Sequence, residues 1–354
     1  MSSLRYIAPS GLQEFMTGLA GRGRLLAPVQ AGASVVFGEY AGGEPCLARA
    51  TVAPKEVVLP ACESLFSFEK VKENSENAST GAQLGLNAPI EARPTIIFAA
   101  RPCDARGISV LDRPYLHGPF RDPYYEARRN NLLVISQTCN APCATCFCDW
   151  LGSGPDDSEG SDLLLTRLDE GFVLEAVSPA GEELLAELGK DATLAALLQD
   201  GAAKREAMQA VREASKKMRP PAPELGQAPA ALRERFGDLD FWREMTAHCL
   251  SCGACTYMCP TCYCFNISDE QTGLRGRRLR SWDSCMSSLF TREASGHNPR
   301  TEKALRMRNR VLHKFSYYPT VWDGHFSCSG CGRCIVNCPV QLDIRQIVLA
   351  GMAK

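Results

Sequence analysis

Residues 249–265 read CLSCGACTYMCPTCYCF, and residues 328–340 read CSGCGRCIVNCPV. These stretches hold six and four of the chain's eighteen cysteines. Each contains the spacing C-x2-C-x2-C-x3-C, followed at once by a proline. The first cysteine run is Cys249, Cys252, Cys255 and Cys259; the second cysteine run is Cys328, Cys331, Cys334 and Cys338. A purely structural use would spread cysteines through a core, so this grouping indicates ligation.

The spacing is typical of proteins that hold two [4Fe–4S] clusters, in which the fourth cysteine of each run binds the other cluster. It predicts a cluster 1 site and a cluster 2 site. The cluster 1 ligands are Cys249, Cys252, Cys255 and Cys338, and the cluster 2 ligands are Cys328, Cys331, Cys334 and Cys259. The alternative is zinc. Structural zinc sites usually combine two separated C-x2-C pairs, a pattern that neither run follows.

Length and composition describe an ordinary globular protein. The 354 residues suffice for two or three domains, and the net charge of −1 gives no general attraction to nucleic acid or to a membrane surface. No secretion signal or spanning apolar run is visible, so we expect a cytoplasmic chain without a membrane span or a nucleic-acid partner. Because the cytoplasm keeps thiols reduced, the cysteines predict metal or redox chemistry instead of disulfides.

The first part of the chain alternates strand-like and helix-like segments. SVVFGEY, TIIFAA and LLVISQ predict strands, residues 163–181 predict a hairpin, and residues 182–218 predict helix. We therefore expect an α/β or α+β domain over residues 1–219. A Pro-rich linker over 220–240 would follow. Residues 241–354 would then form a mostly α-helical, ferredoxin-like domain with two [4Fe–4S] clusters, because NPRTEKALRMRNRVLHKF looks helical.

A third group of thiols follows two of the predicted strands. Cys103 comes just after TIIFAA, with Asp104 placed to cap a helix, and Cys139 comes just after LLVISQ. If these strands are parallel neighbours, both thiols emerge at one edge of the sheet. With the loop residues they form the third cysteine set: Cys103, Cys139, Cys146 and Cys148, with Cys143 as a substitute. The set predicts a third cluster; a zinc knot and a redox-active thiol set remain the alternatives.

Three further cysteines exceed what two clusters need. This cysteine trio consists of Cys262, Cys264 and Cys285. The trio either binds a further cluster with an unnamed fourth donor or packs beside the other two. Cys46 and Cys62 are expected to be small apolar core residues. The basic segment between the two runs is either a solvated surface, a counter-charge for anionic clusters or a docking face.

Several motifs resemble a known family: RPCDARGISVLDR, TCFCDWLGSGP, CTYMCPTCYCF, WDSCMSSLFTREASGHNPR and CGRCIVNCPVQLDI. They are similar to the iron–sulfur β subunits of cytoplasmic sulfhydrogenases and the A subunit of anaerobic sulfite reductase, over nearly the whole chain. The resemblance implies an electron-transfer subunit that relays electrons between a flavin- and NAD(P)-binding subunit and a separate catalytic subunit. That catalytic subunit would be of the hydrogenase, sulfite reductase or heterodisulfide reductase type.

The resemblance also carries ligand roles to the residues already named. It implies cluster ligation by both cysteine runs and by the third cysteine set, and it does not require Cys143. The chain lacks a GxGxxG motif after a strand, so we do not expect it to bind a dinucleotide itself. Two alternatives differ in class. One is a catalytic reductase that uses the cysteine trio; the other is a zinc-bearing binding module.

Overall fold

A computed structural model describes residues 3–71 and 83–353. The described strands are β1 Leu4–Ile7, β2 Arg24–Ala31, β3 Ser34–Glu39, β4 Cys62–Val71, β5 Gln83–Asn87, β6 Thr95–Ala100, β7 Leu132–Gln137, β8 Leu163–Leu168, β9 Gly171–Ala176, β10 Gln199–Asp200, β11 Phe265–Thr272 and β12 Arg275–Trp282. The described α-helices are α1 Leu12–Ala20, α2 Pro102–Leu116, α3 Pro123–Asn130, α4 Pro179–Leu188, α5 Ala192–Leu197, α6 Arg205–Lys217, α7 Ala228–Glu234, α8 Leu239–Met245, α9 Ala254–Tyr257, α10 Lys303–Leu312, α11 Tyr318–Val321, α12 Arg333–Val336 and α13 Ile344–Met352. A π-helical turn, His313–Tyr317, joins α10 to α11. Within the described ranges, every helix is too short or too polar to span a lipid bilayer.

Eight strands form the larger sheet, in the order β10-β1-β9-β8-β7-β6-β2-β3. Its centre is parallel, because β2, β6, β7 and β8 all run the same way. The three strands predicted from SVVFGEY, TIIFAA and LLVISQ are β3, β6 and β7, so those predictions are confirmed. The parallel pairing of β6 with β7 brings the segments that carry Cys103 and Cys139 to the same edge of the sheet.

Helices cover both faces of the parallel centre of this sheet, because parallel strands are normally buried on both sides. Successive side chains of a strand point to opposite faces, and β6 follows that rule. Ile96 and Phe98 pack into the core beneath α1, whereas Ile97 packs into the core beneath α2. A bulge interrupts β6 at Ala99, whose φ is +57°, immediately before the turn into α2. Bulges of this kind re-aim the residues that follow, here the segment that carries Cys103.

The smaller sheet joins two distant segments of the chain, β4 with β5 and β11 with β12. Its order is β11-β12-β4-β5, with every neighbouring pair antiparallel. The hairpin of β11 and β12 follows the first cysteine run, while β4 and β5 precede the larger sheet's central strands β6 and β7. Residues 241–354 therefore contain sixteen strand residues in two eight-residue strands, so the expectation of a mostly helical domain is not confirmed.

Helices α7, α8, α10, α12 and α13 pack around a further core. Trp242, Met307, Val311, Phe315 and Ile347 form its centre. The predicted linker segment contributes to the same core, because Leu225 and Ala228 are buried in it. Segment 220–240 is therefore packed instead of extended through solvent.

The segment 182–218, predicted to be helical, contains three helices, α4, α5 and α6, separated by turns and by the short strand β10. One local expectation is corrected by the structure. Cys62 is exposed on β4 and Cys46 is partly exposed, so neither is a core residue. The hairpin predicted over 163–181 is confirmed as β8 and β9, with its turn at Asp169 and Glu170.

Candidate iron–sulfur centres

The four cysteines predicted for cluster 1 line one cavity. Cys249, Cys252 and Cys255 come from the first run, and Cys338 comes from the second. Cys334 also lines this cavity. The other walls are largely apolar, with contributions from Met286 and Met307. The structure thus brings together ligands that lie as much as 89 residues apart in the sequence.

The four cysteines predicted for cluster 2 line a neighbouring cavity. Its walls contain Cys259, Cys328, Cys331 and Cys334, together with Arg310, Lys314, Ser329 and Gly332. Each run therefore contributes its fourth cysteine to the other run's cavity, as the spacing predicts. Within the described ranges, no group of three or more histidine, cysteine or carboxylate residues is arranged around a single metal ion. The thiols surround two cavities, and this donor set fits the several iron atoms of a [4Fe–4S] cluster.

Both runs use the same local backbone device. Gly253 and Gly332 adopt positive φ values of +77° and +71°, and the short helices α9 and α12 begin directly after them. Glycine is the residue that adopts this conformation without steric cost. The preceding turns aim N–H groups at sulfur: Ser251 N lies 3.4 Å from Cys249 Sγ, and Gly330 N lies 3.4 Å from Cys328 Sγ. Such donors stabilise a thiolate and tune a bound cluster.

Two buried cations line the cavities. Arg310 lines both cavities, and Lys314 lines the cluster 2 cavity; each is only 3% exposed. Their partners are neutral: Arg310 donates to the Cys255 carbonyl, and Lys314 donates to Thr261 Oγ1 and the Ser327 carbonyl. Among the described residues, neither cation forms an ion pair with a carboxylate. A buried cation requires a counter-charge, and an anionic cluster supplies one.

Burial opposes ionisation of the thiols around these cations. It raises the pKa of Cys328 to about 12 and that of Cys334 to about 12, although Lys314 and Arg310 act in the opposite direction. Burial alone would lower the pKa of Lys314, but the Cys259 and Cys262 sulfurs raise it above its usual value. Because cluster ligands are thiolates, the cations offset part of the cost of deprotonating buried cysteines.

The third cysteine set also comes together in the structure. Cys103 lies at the start of α2 and Cys139 lies just beyond β7. Burial raises the pKa of Cys148 to about 11, and the nearby Cys139 sulfur adds to that effect. Burial and Asp104 raise the pKa of Cys103, and Cys139 contributes further. Arg219 completes the group by donating to Cys146 Sγ at 3.1 Å.

Cys143 lies at the open side of this set. It is exposed in a cleft that also contains Arg101 and Arg167, and Arg49 donates to its sulfur at 3.0 Å. The Cys146 thiol donates to the Cys143 carbonyl at 3.0 Å. The adjoining Cys146 thiol, helped by Arg49, lowers the pKa of Cys143 to about 5. Arg49 was not found from the sequence, because a single arginine in an irregular segment carries no motif.

The loop of the third set packs directly on the second cysteine run. Phe147 N donates to the Gly330 carbonyl at 2.7 Å. A Cβ atom on Gly330 would lie 2.5 Å from the Cys148 Cα atom, and one on Gly332 would lie 2.3 Å from the Thr145 carbonyl oxygen. The two backbones therefore touch, and only glycine permits the contact. The third cysteine set adjoins the cluster 2 site.

The cysteine trio adjoins the cluster 2 site. Cys262 lies beside Cys259, and the adjoining Cys285 thiol lowers the pKa of Cys264 to about 7. The buried Lys55 donates to the Cys262 carbonyl at 2.9 Å. Cys285 is buried, which gives no support to a reaction of this thiol with a substrate. Lys55 is another residue that no sequence pattern identified.

An ion pair fixes the second run against α2. Arg333, directly after Gly332, pairs with Asp104, and each is only 1% exposed. Arg333 also donates to the carbonyls of Ala50 and Thr51. Asp104 has a second role that the sequence did predict, since its carboxylate accepts from Arg101 N at the start of α2. His248, beside the first run, is exposed.

Comparisons with known proteins agree with this geometry. Residues 248–342 match the family model of the 4Fe-4S dicluster domain. Over 337 residues the chain is 28% identical to Sulfhydrogenase 2 subunit beta of Pyrococcus furiosus, in an alignment that covers 93% of this chain and 92% of the relative. No solved structure matched the chain. The C-terminal part is thus similar to 4Fe–4S dicluster domains, and the chain as a whole resembles a sulfhydrogenase β subunit, which confirms the resemblance found in its motifs.

Proposed function

We propose that the chain is an iron–sulfur electron-transfer subunit of a multi-subunit cytoplasmic oxidoreductase. It relays electrons between a flavin- and NAD(P)-binding subunit and a separate catalytic subunit of the hydrogenase, sulfite reductase or heterodisulfide reductase type. The observation that carries the proposal is the exchange of the fourth cysteine between two adjoining cavities. A [4Fe–4S] cluster bound in each cavity supplies one-electron chemistry whose potential the protein sets.

The arrangement of the sites supports a relay. The cluster 1 and cluster 2 cavities share Arg310 and Cys334 as wall residues. The third cysteine set touches the cluster 2 site through Gly330 and Cys148. We propose a third [4Fe–4S] cluster at Cys103, Cys139, Cys146 and Cys148, with the sites in the order cluster 1, cluster 2, third set.

Both ends of this row reach the surface. Cys252 is an exposed member of the cluster 1 site, and Cys143 is exposed beside the third cysteine set. An electron relay needs an entry and an exit where partners can approach, and these two regions provide them. We propose that the two partner subunits dock at opposite ends, so that the central cluster 2 site is never in contact with either.

Domain limits and the extra thiols complete the proposal. We propose residues 1–219 as the α/β part that carries the third cluster, 220–240 as a packed connector and 241–354 as the dicluster part. The cysteine trio is the candidate site for any cluster beyond these three, since its members are close together and Lys55 lies beside them.

Iron and sulfide analysis of anaerobically purified protein, with EPR of the reduced sample, tests the proposal. Two clusters correspond to about eight irons per chain, three to about twelve and four to about sixteen. We expect about twelve. A sample with about eight irons per chain would contradict the proposed third cluster. A colourless sample with zinc in place of iron would overturn the proposed function.

A further inference from the structure

We propose that the cluster 2 site has a higher reduction potential than the cluster 1 site, and that Lys314 and Ser329 set the difference. This inference rests on the ligand assignment proposed above. The two sites differ in the residues, other than cysteines, that surround each cavity. The two cavities share Arg310, so that residue cannot by itself distinguish them.

Lys314 directs its charge at the cluster 2 site alone. Its Nζ lies 3.5 Å from Cys259 Sγ, the ligand that the first run contributes to this cavity. Thr261 Oγ1 at 2.9 Å and the Ser327 carbonyl at 2.8 Å hold the ammonium group in place. Adding an electron makes a cluster more negative, and a fixed cation beside its ligands favours that state. The effect is strong because Lys314 is only 3% exposed and water screens it little.

Ser329 gives the same cavity an unused hydrogen-bond donor. It follows Cys328 directly, lines the cluster 2 cavity and is only 1% exposed. Its Oγ has no hydrogen-bond partner among the described residues. Buried hydroxyl groups almost always have a partner. A cluster sulfur or a ligand thiolate is the acceptor that this cavity would present. Such a bond also favours the reduced, more negative cluster.

Among the described residues, no lysine or arginine donates to a cluster 1 ligand sulfur as Lys314 does to Cys259 Sγ. The walls of the cluster 1 cavity include Leu250, Met286, Met307 and Val340, whose side chains offer no hydrogen bond to a cluster. Ser251 also lines it, and its Oγ accepts from Arg306 at 3.3 Å, which leaves its O–H proton to donate. The hydroxyl groups therefore differ less between the two cavities than the charge of Lys314 does. Water near the exposed Cys252 acts in the opposite direction by solvating a reduced cluster 1. A cation held beside a ligand in a buried site exceeds the effect of solvent at one edge.

The higher potential of cluster 2 decides where an electron rests in the relay. Cluster 2 lies between cluster 1 and the third cysteine set. If it has the higher potential of the dicluster pair, a single electron that enters at cluster 1 moves to cluster 2 and rests there. The centre of the chain then holds an electron until a second transfer event removes it.

An EPR-monitored redox titration of the full-length, anaerobically reconstituted chain tests this inference, with dithionite as the electron donor. The Lys314→Met variant removes the charge and keeps the length of the side chain. We expect this variant to lower the reduction potential of cluster 2 by about 59 mV, which is a tenfold change in the equilibrium of a one-electron reduction. The reduction potential of cluster 1 should stay the same. Lys314→Arg should restore most of the shift, and Ser329→Ala should lower the same potential by less.

The controls separate this inference from the proposed function. Cys338→Ala removes a cluster 1 ligand and so assigns the two signals. Lys204→Met removes a lysine whose partner is the exposed Glu170, far from the cysteine runs in sequence, and should change neither potential. Two clusters with potentials that Lys314→Met and Ser329→Ala leave unchanged, or shift equally, would overturn the inference alone. A wild-type chain without two clusters would overturn the proposed function. If the Lys314→Met variant does not assemble cluster 2, the reduction potentials of the Ser329→Ala and Lys314→Arg variants test the inference.

Discussion

At the residue scale, the most demanding contacts are those that hold the second cysteine run against the rest of the chain. Arg333 is a buried cation whose charge is balanced by one buried carboxylate, Asp104. Gly330 and Gly332 press against the backbone of residues 145–148. Each contact depends on one property of a residue: the negative charge of Asp104, or the absence of a Cβ atom at Gly330 and Gly332.

Replacing Asp104 should destabilise the protein strongly. Asp104→Asn keeps the size of the side chain but leaves Arg333 without its counter-charge in a site that is 1% exposed. Removing one partner of a buried ion pair costs about 3–5 kcal/mol of unfolding free energy. Anaerobic urea denaturation of the loaded protein measures the loss. Asp169→Asn, on the turn between β8 and β9, is the control. A loss for Asp104→Asn as small as that of the control would contradict the prediction.

Gly330→Ala should be more harmful than Gly324→Ala. Both glycines have positive φ values, +64° and +81°, so alanine is strained at either position. That strain costs about 1–2 kcal/mol. Only at Gly330 does the new Cβ also meet backbone, 2.5 Å from Cys148 Cα, whereas nothing lies within 4 Å at Gly324. The collision should add at least about 2 kcal/mol and separate the third cysteine set from the second run.

The measurement for this pair is urea denaturation together with iron content. Gly324→Ala should retain all of its iron, and Gly330→Ala should lose iron from the third set or the cluster 2 site. Equal stability and equal iron content in the two variants would show that the two loops do not touch as described.

At the element scale, strand β12 ties the segment after the first cysteine run to strand β4 near the start of the chain. Its register pairs Arg275 with Glu69 and Arg280 with Glu63. The exposed part of the hairpin carries ion pairs such as Arg278 with Asp269. The inner part is different, because Arg280 and Glu63 are both buried and Asp122 at the start of α3 joins them.

Arg280→Ala should therefore be costly, while Arg278→Ala should leave stability nearly unchanged. Without Arg280 the buried Glu63 keeps Arg128 as its one ion-pair partner among the described residues, and Asp122 loses its ion pair with β12. Breaking such a buried network lowers the unfolding free energy by about 3 kcal/mol or more. Arg278 is a matched control on the same strand, since a surface pair contributes little. Thermal unfolding by circular dichroism compares the two. Equal melting temperatures would contradict the prediction.

At the scale of the whole molecule, distant parts of the chain adjoin one another at the predicted cluster sites. These parts are the first run, the second run and the third cysteine set. Iron binding is therefore expected to hold these parts of the fold together. Metal binding of this kind contributes directly to folding stability.

Loss of a single exchanged cysteine should remove one cluster and weaken the core around Trp242. We expect Cys338→Ala and Cys259→Ala each to lower iron content by about four atoms per chain. Both should also make residues 241–354 more sensitive to limited proteolysis under anaerobic conditions. The control is Cys62→Ala, because Cys62 is exposed and belongs to no predicted site. Variants that keep their full iron content would show that the exchange of the fourth cysteines is not used.

The sequence by itself determined the pairing of the two cysteine runs, because ligand spacing is local and the same short turn is repeated with Gly253 and Gly332 in equivalent places. It also determined β6 and β7, since each contains a short continuous apolar run, IIFAA in β6 and LLVI in β7, of the kind that forms buried strands. Tertiary structure alone decided where the counter-charges lie. Lys55 and Arg49 approach cysteines from segments far away in the chain, and no local pattern marks them. Lys314 lies in the basic segment for which the sequence offered a counter-charge as one alternative, but only the fold places it beside Cys259. It also decided that β11 and β12 would complete a sheet begun by β4, because pairing between strands about two hundred residues apart depends on long-range burial and not on local propensity.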